Sequence, residues 1–422
     1  MVTRRQLLGG LAACAAFHDK SLDLVETVAT NYTGRIAAED EDFWAQIQQA
    51  FTLDRTMINF NNGGVCPSPR VVQDALRRYI EYSNQAPSFF MWRHLEPEVE
   101  NVRKRLARFF GCDTEEVAIT RNASESLEIL LLGLRLAPGD EVLTTTADYP
   151  RMITTLQQRE RREGIKLAQA PVPSVPSSPN ELLSAIEAGI SPQTKLILVS
   201  LVSFLNGQIY PIRDIVRLAA KRGIPVVVDG AHAIAQFPFD RDSLECDYFG
   251  ASLHKWLMAP IGTGILYVRK QKIEGVWPLM AAAKTQDKDI RKFEEIGTHP
   301  AANHNAIGEA LTFHELIGGE RKAARLRYLR SLWTEPLLNL SNVHFKTNLS
   351  PKHSCGLTTV SIDGMKPEEL AAWLWDKKGI FVTTIGNPGF EGIRVSPNVY
   401  TTKDEIARFK EAMLEAALKG IR

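Results

Sequence analysis

The chain carries almost no excess charge: 50 Lys and Arg stand against 49 Asp and Glu, a formal net of +1 over 422 residues. So close a balance supplies no general attraction to nucleic acid or to acidic membranes. An apolar run of transmembrane length is missing. So are internal repeats and long low-complexity tracts, which argues against solenoids and disordered arrays. Cysteine is scarce. Cys14, Cys66, Cys112, Cys246 and Cys355 fall at no metal-ligand spacing, and their odd number argues against a full disulfide framework. With 44% hydrophobic and 23% charged residues, the chain is globular and long enough for a large core and two domains.

The first 30 residues read differently. "MVTRRQLLGGLAACAAF" is a basic start, a short weakly apolar stretch and then small residues, the grammar of an export signal. Thr3 and the pair Arg4-Arg5 resemble a twin-arginine signal, which implies a periplasmic or otherwise exported protein. "LAAC" (11–14) resembles a lipoprotein box with Cys14 as a lipid anchor; "ACA" (13–15) offers a peptidase site instead. The plain alternative is a ragged basic N-terminus on a cytoplasmic protein.

From about residue 116, apolar strand patterns alternate with helical ones. "EVAIT", "EVLTTT", "IKLAQAPV", "KLILVSLVS", "IPVVVDG" and "GTGILYVRK" read as strands. Helical stretches lie at 124–136, 150–163, 180–188 and 212–222, after earlier ones at 70–84 and 95–110. The alternation predicts an α/β domain, 31–296, with a mostly parallel sheet covered on both faces. A long helical run at about 302–337 follows, then short strands ("VHFKTN", "GLTTVSI", "IFVTTI", "GIRVSP") and two further helices. These predict a smaller α+β domain over 297–422. Ligands of parallel sheets sit at the carboxyl ends of the strands, so the residues just after strands matter most.

One such end is "IPVVVDGAHAIAQ", with Asp229 closing the strand and His232 three residues on. Asp229 also fits a helix N-cap. After the acidic stretch "DRDSLECDYFGAS" comes "LHKWLMAP", where Lys255 sits in a mostly apolar run. A buried lone ammonium is costly, so Lys255 is either ordinary and exposed or buried and reactive. "TRNASESLEILLLG" follows a strand and starts a helix; Asn122, Ala123 and Ser124 would offer N–H groups and a hydroxyl to an anion, or form a plain cap with Ser124 as capping residue.

Strand-Asp-x-x-His with Ser-x-His-Lys resembles the fold-type I enzymes that use pyridoxal 5'-phosphate. The resemblance is closest to class V aminotransferases, and within them to isopenicillin N epimerase-like proteins. It implies that Lys255 forms the resting imine with the cofactor and acts as base, that Asp229 keeps the pyridine nitrogen protonated, and that His232 contacts the phenolic oxygen. Asn122, Ala123, Ser124, Ser252 and His254 would hold the phosphate. Tyr149, in "TTTADYPRM", would stack on the ring. Thr298, in "FEEIGTHP", would reach the phosphate of a neighbouring subunit, which implies a homodimer with shared sites. Arg394, in "GIRVSP", would bind the substrate α-carboxylate, with Asn61, Asn62 and Gly63 bordering that site. The family's phenolic-oxygen asparagine lies earlier than Asn206 does, which leaves Asn206 without an assigned role.

No cysteine stands between 381 and 393, where desulfurases of the family carry their nucleophile; Cys355 reads as a core thiol. The expected reaction is at the α-carbon of an amino acid or peptide-borne amino acid, epimerase-like or aminotransferase-like. A carbon–sulfur lyase is the alternative, and a non-catalytic binding or regulatory protein is a further one. Twin-arginine export would suit a protein that folds around a cofactor before it leaves the cytoplasm.

Overall fold

The computed structural model describes residues 36–421; the export reading of 1–30, with Arg4, Arg5 and Cys14, lies outside them. Among the described residues no helix is long and apolar enough to cross a membrane.

The strands, in chain order, are β1 (Ile58–Asn59), β2 (Val117–Thr120), β3 (Glu141–Thr145), β4 (Lys166–Ala170), β5 (Thr194–Ser200), β6 (Val226–Asp229), β7 (Tyr248–Ser252), β8 (Gly264–Val268), β9 (Val343–Phe345), β10 (Thr358–Ile362), β11 (Ile380–Phe381), β12 (Thr383–Ile385) and β13 (Gly392–Val395). The helices of two turns or more are α1 (Glu41–Gln49), α2 (Arg70–Gln85), α3 (Glu96–Phe110), α4 (Ala123–Gly133), α5 (Pro150–Glu163), α6 (Pro179–Gly189), α7 (Ile212–Ala220), α8 (Ile307–Ile317), α9 (Gly319–Thr334), α10 (Pro367–Lys378) and α11 (Lys403–Lys419).

The large sheet has seven strands in the order β2-β8-β7-β6-β5-β3-β4. Only β8 runs antiparallel to its neighbours. Apart from the edge strand β4, its strands are almost wholly buried, because apolar clusters cover both faces. The consequence for chemistry is geometric. The carboxyl ends of β2, β3, β5, β6 and β7 all open at the same edge, as the parallel pairing requires.

Strand β7 is absent from the sequence reading, which took "YFGAS" as part of an acidic connection. Gly250 explains why the pattern is weak. A Cβ there would lie 2.8 Å from Ser126 Cβ in α4, so the strand gives up a side chain to let the helix approach.

The smaller sheet, β12-β13-β10-β9, is antiparallel. Two boundaries differ from the sequence reading. The segment "IFVTTI" is split: β11 pairs with β1, whereas β12 pairs with β13. The N-terminal segment 58–61 therefore joins the small domain, with Phe60 in its core. The helical run at 302–337 is also broken, at Ala306 and at Gly318, whose φ of +84° ends α8. Side chains from Ile307 to Leu326 pack in the large-domain core, while Leu329 and Trp333 pack in the small one. Helix α9 thus ties the two domains together.

Candidate active site

A cavity of about 580 Å³ opens where the large-sheet strands end. Most of the residues singled out in the sequence line it: Asn122, Ala123, Ser124, Tyr149, Asp229, His232, Ser252, His254, Lys255, Arg394 and Gly63. They arrive on six separate segments: 63, 122–124, 149, 229–232, 252–255 and 394.

Asp229 ends β6 and is buried. Its Oδ1 accepts the Ala231 N–H at 2.8 Å, so it closes a tight turn and does not cap a helix. Burial pushes its pKa up to about 6, against the pull of the Ala231 N–H and of Lys255. Lys255 follows β7 in a turn. Its Nζ lies 3.2 Å from Nε2 of His232. Burial lowers its pKa to about 8, opposed by Asp229 and assisted by Arg394. This contact engages Nε2 of His232, while its Nδ1 is buried and has no partner among the described residues. Burial holds its pKa well below the ordinary value, with Lys255 and Arg394 adding to the effect.

At the start of α4 the capping residue is Asn122, not Ser124: its Oδ1 accepts the Glu125 N–H at 2.9 Å. The Ala123 N–H donates to Ser252 Oγ at 3.0 Å, which ties the ends of β2 and β7 together. These bonds use the N–H groups of Ala123 and Glu125 and leave those of Ser124 for a ligand at the positive helix end. Gly264 of β8 permits this turn to sit so close, since a Cβ there would meet the Asn122 backbone at 2.8 Å. Nδ1 of His254 donates to the Thr263 carbonyl at 3.2 Å, which directs Nε2 of the ring away from that bond.

Arg394, on β13, is only 7% exposed. It donates from Nη1 to the Phe204 carbonyl at 2.8 Å and from Nη2 to Asn61 Oδ1 at 2.9 Å. Its Nε has no partner, and no carboxylate lies within ion-pair distance among the described residues. Burial alone lowers its pKa to about 10. A buried guanidinium with only neutral partners is costly, and a ligand carboxylate would compensate it.

Asn62, Thr298, Asn206 and Cys355 do not line the cavity; of these only Asn62 departs from its expected place, and Cys355 is the core thiol the sequence predicts. Asn62 is fully buried and turned into the fold, donating to the carbonyls of Asn59 and Ser396 and accepting from Tyr400. Thr298 lies outside this cavity, in a separate depression with Trp92, Arg103 and His299. Asn206 donates to the carbonyls of Ser174 and Lys346 and does not line the cavity. Cys355 is buried against the Gln236 and Ala323 carbonyls, and burial raises its thiol pKa. Tyr149 does line the wall, 40% exposed and edge-on to Phe204 at 5.2 Å.

Residues missed in the sequence include Phe204, Ser200 and Asp148. Asp148 accepts from the N–H and hydroxyl of both Thr145 and Ser200, clamping β3 to β5 just before Tyr149. Its place directly before an aromatic at a strand end was the available signal.

The donor set fits pyridoxal 5'-phosphate. A helix start with free donors meets a phosphate, a buried carboxylate meets a pyridinium, and a partly buried amine of lowered pKa meets an aldehyde. The fit carries a stability consequence. Between pH 3.8 and about 6 the folded apoprotein holds a proton on Asp229 that the unfolded chain has released. Stability is therefore lost as pH rises through this window, by at most roughly 3 kcal/mol. Asp229→Asn is expected to flatten that fall and to raise apoprotein stability at pH 7.5. Denaturant unfolding of both proteins at pH 4 and pH 7.5 measures it; equal stabilities at pH 7.5 would contradict the buried, uncompensated carboxylate.

Residues 58–409 match the family model described as Aminotransferase class-V. An isopenicillin N epimerase from Streptomyces clavuligerus is 28% identical over 387 residues, 88% of this chain and 97% of that protein. A probable cysteine desulfurase from Vibrio cholerae is 24% identical, covering 85% of this chain and 93% of its own. Among solved structures, the apo cysteine desulfurase of Thermococcus onnurineus NA1 has a TM-score of 0.78 at 25% identity, over 90% of this chain and 98% of that one. C-DES, solved as a mutant with glycine covalently linked to its PLP cofactor, shares the fold at a TM-score of 0.74 and 24% identity, over 85% and 98%. The matched region contains every strand end that forms the cavity, and the chain belongs to the class V aminotransferases, a family of pyridoxal 5'-phosphate enzymes.

Proposed function

We propose that the protein acts at the α-carbon of an amino acid, free or carried in a peptide, in an epimerase-like or aminotransferase-like reaction. The observation that carries this reading is Arg394, buried beside Lys255 and Asp229 without a carboxylate of its own. When bound, pyridoxal phosphate supplies an aldehyde that captures an amine and a ring that withdraws electrons from the adjacent carbon. Arg394 orients the substrate by its α-carboxylate, with Asn61 fixing the guanidinium. Lys255 Nζ, whose pKa burial lowers to about 8, takes and returns the Cα proton. Asp229 holds a proton or a cation at the far end of the site, and Tyr149 with Phe204 forms the aromatic wall. A two-base epimerisation would use acid–base groups on both faces of Cα; Lys255 and Tyr149 line the cavity from different loops.

Carbon–sulfur lyase chemistry is the second reading, supported by a hercynylcysteine sulfoxide lyase from Schizosaccharomyces pombe, 22% identical over 68% of this chain and 75% of its own. None of the described cysteines lines the cavity, so such a reaction would expel its leaving group without a cysteine nucleophile. The deciding experiment incubates the holoenzyme with amino acids and short peptides in deuterated water. Cα deuterium with inversion and no keto acid supports epimerisation, and keto acid with a retained amino group supports transfer. Pyruvate with ammonia or a sulfur product supports elimination. No exchange with any compound would sink the α-carbon reading.

Two further proposals go with it. The protein forms a homodimer in which Thr298 completes the partner's site. Supporting this, Trp92 beside Thr298 and Leu279 at the cavity are exposed, as are Ile261, Trp277 and Met280. A monomer by light scattering at micromolar concentration would refute it. The second is export through the Arg4-Arg5 signal, with Cys14 as the residue open to lipidation. Replacing both arginines by lysine should retain the protein in the cytoplasm; arrival in the periplasm regardless would remove the twin-arginine reading.

A further inference from the structure

Lys322, the fourth residue of α9, is fully buried. No carboxylate lies within ion-pair distance of it among the described residues. The titratable groups around it are the thiols of Cys66 and Cys355 and the imidazole of His314. A lysine enclosed by neutral groups destabilises a fold, and burial lowers its pKa to about 7. What it does with its amine is specific: Nζ donates to the carbonyl of Trp256, the residue after Lys255.

The other carbonyls of that turn are held as well. The His254 carbonyl accepts the Cys66 N–H at 3.1 Å, the Lys255 carbonyl accepts the Met258 N–H at 3.1 Å, and the Leu253 carbonyl accepts the Ala259 N–H at 3.1 Å. Met258 sits at φ +62°, a left-handed conformation that a non-glycine residue adopts only when its surroundings impose it. The bonds on either side of Lys255 come from different parts of the chain, Cys66 before α2 and Lys322 in α9.

We propose that Lys322 is a positioning residue. Its hydrogen bond to the Trp256 carbonyl, opposite that of Cys66 to His254, fixes the Lys255 turn so that Nζ meets the cofactor aldehyde. The proposal rests on Lys255 being the cofactor lysine. A residue kept for positioning at a cost to stability has a signature: its removal slows the reaction of Lys255 while the fold gains or keeps stability.

The test uses full-length apoprotein mixed with pyridoxal phosphate, following the visible absorption band that depends on Lys255. Lys322→Met is expected to slow development of the band about tenfold to a hundredfold, the scale of small misplacements of a reacting group. The thermal midpoint of the apoprotein is expected to stay the same or rise. Lys322→Gln, which keeps a neutral N–H donor, is expected to recover the rate to within about threefold of wild type. A Met variant that reacts at the wild-type rate overturns the proposal, and so does a Gln variant as slow as Met. Lys322→Leu serves as a second apolar replacement. If neither Met nor Leu folds, Lys322 is a structural requirement and the positioning role is likewise overturned. Lys255→Ala separates this from the reading beneath it: a band that persists without Lys255 overturns both.

Discussion

Lys255→Ala is expected to leave a folded protein that forms no lysine-dependent visible band and turns over at least about 10⁴-fold more slowly. The size follows from two losses at one atom. The amine that attaches the cofactor disappears, and so does the nearest base for the Cα proton. Folding should survive, because Lys255 faces an open cavity and its amine is held below its ordinary pKa by burial, not stabilised by a hydrogen-bonded carboxylate. Removing it relieves a desolvation cost and leaves His232 Nε2 to solvent in the cavity. Circular dichroism and the thermal midpoint of the apoprotein check folding; absorbance after adding pyridoxal phosphate checks attachment. A variant that retains the band and a large share of turnover would move the attachment point to another residue, and with it the whole assignment of the site.

The second large effect is at Arg394. Arg394→Leu should raise KM for an α-amino carboxylate by about 10²–10³-fold, equivalent to about 3–4 kcal/mol for a buried, charge-assisted pair. Its effect on stability should be small, because two terms oppose each other. The Phe204 carbonyl and Asn61 Oδ1 each lose a donor, costing about 1–3 kcal/mol apiece where they stay buried. Against that, a buried cation without an anion is removed. An amine substrate analogue lacking the carboxylate distinguishes recognition from damage: its reaction with the cofactor should be nearly unchanged by the substitution. If the analogue slows as much as the amino acid, Arg394 supports the architecture of the site and does not recognise the carboxylate.

Both predictions depend on groups whose energetics make sense only together. Arg394 adds to the lowering of the Lys255 pKa by burial, and Asp229 opposes it. In the apoprotein all three are held away from their ordinary values by burial. Ligands that bring an aldehyde, a cationic ring nitrogen and a carboxylate would supply the missing partners of Lys255, Asp229 and Arg394, and ligand binding should accordingly raise stability by mass action.

The local sequence determined a great deal. Apolar strands alternating with helices are enough for the sheet, since residues buried on both faces must be apolar. Asp229 and Lys255 were visible because a charged residue beside or inside an apolar strand needs a reason to be there. The helix start at Asn122 was visible from its turn chemistry, although the cap is Asn122 and Ser124 is left for a ligand.

Only the tertiary structure decided the rest, and each case involves partners far apart in the chain. Strand β7 is hidden by Gly250, which matters only because α4 packs on it. Asn61 and Asn62 are neighbours of the same type. The pairing of 58–61 with β11 and Ser396 turns Asn61 toward Arg394 and Asn62 into the core. The division between domains shifted for the same reason, since helix periodicity cannot say which of two cores a face will meet. Lys322 looks like one more cation on a charged helix until folding carries it beneath the Lys255 turn. Burial, register and long-range hydrogen bonds are created when distant segments close on one another, so local pattern reports the elements and the fold alone reports their partners.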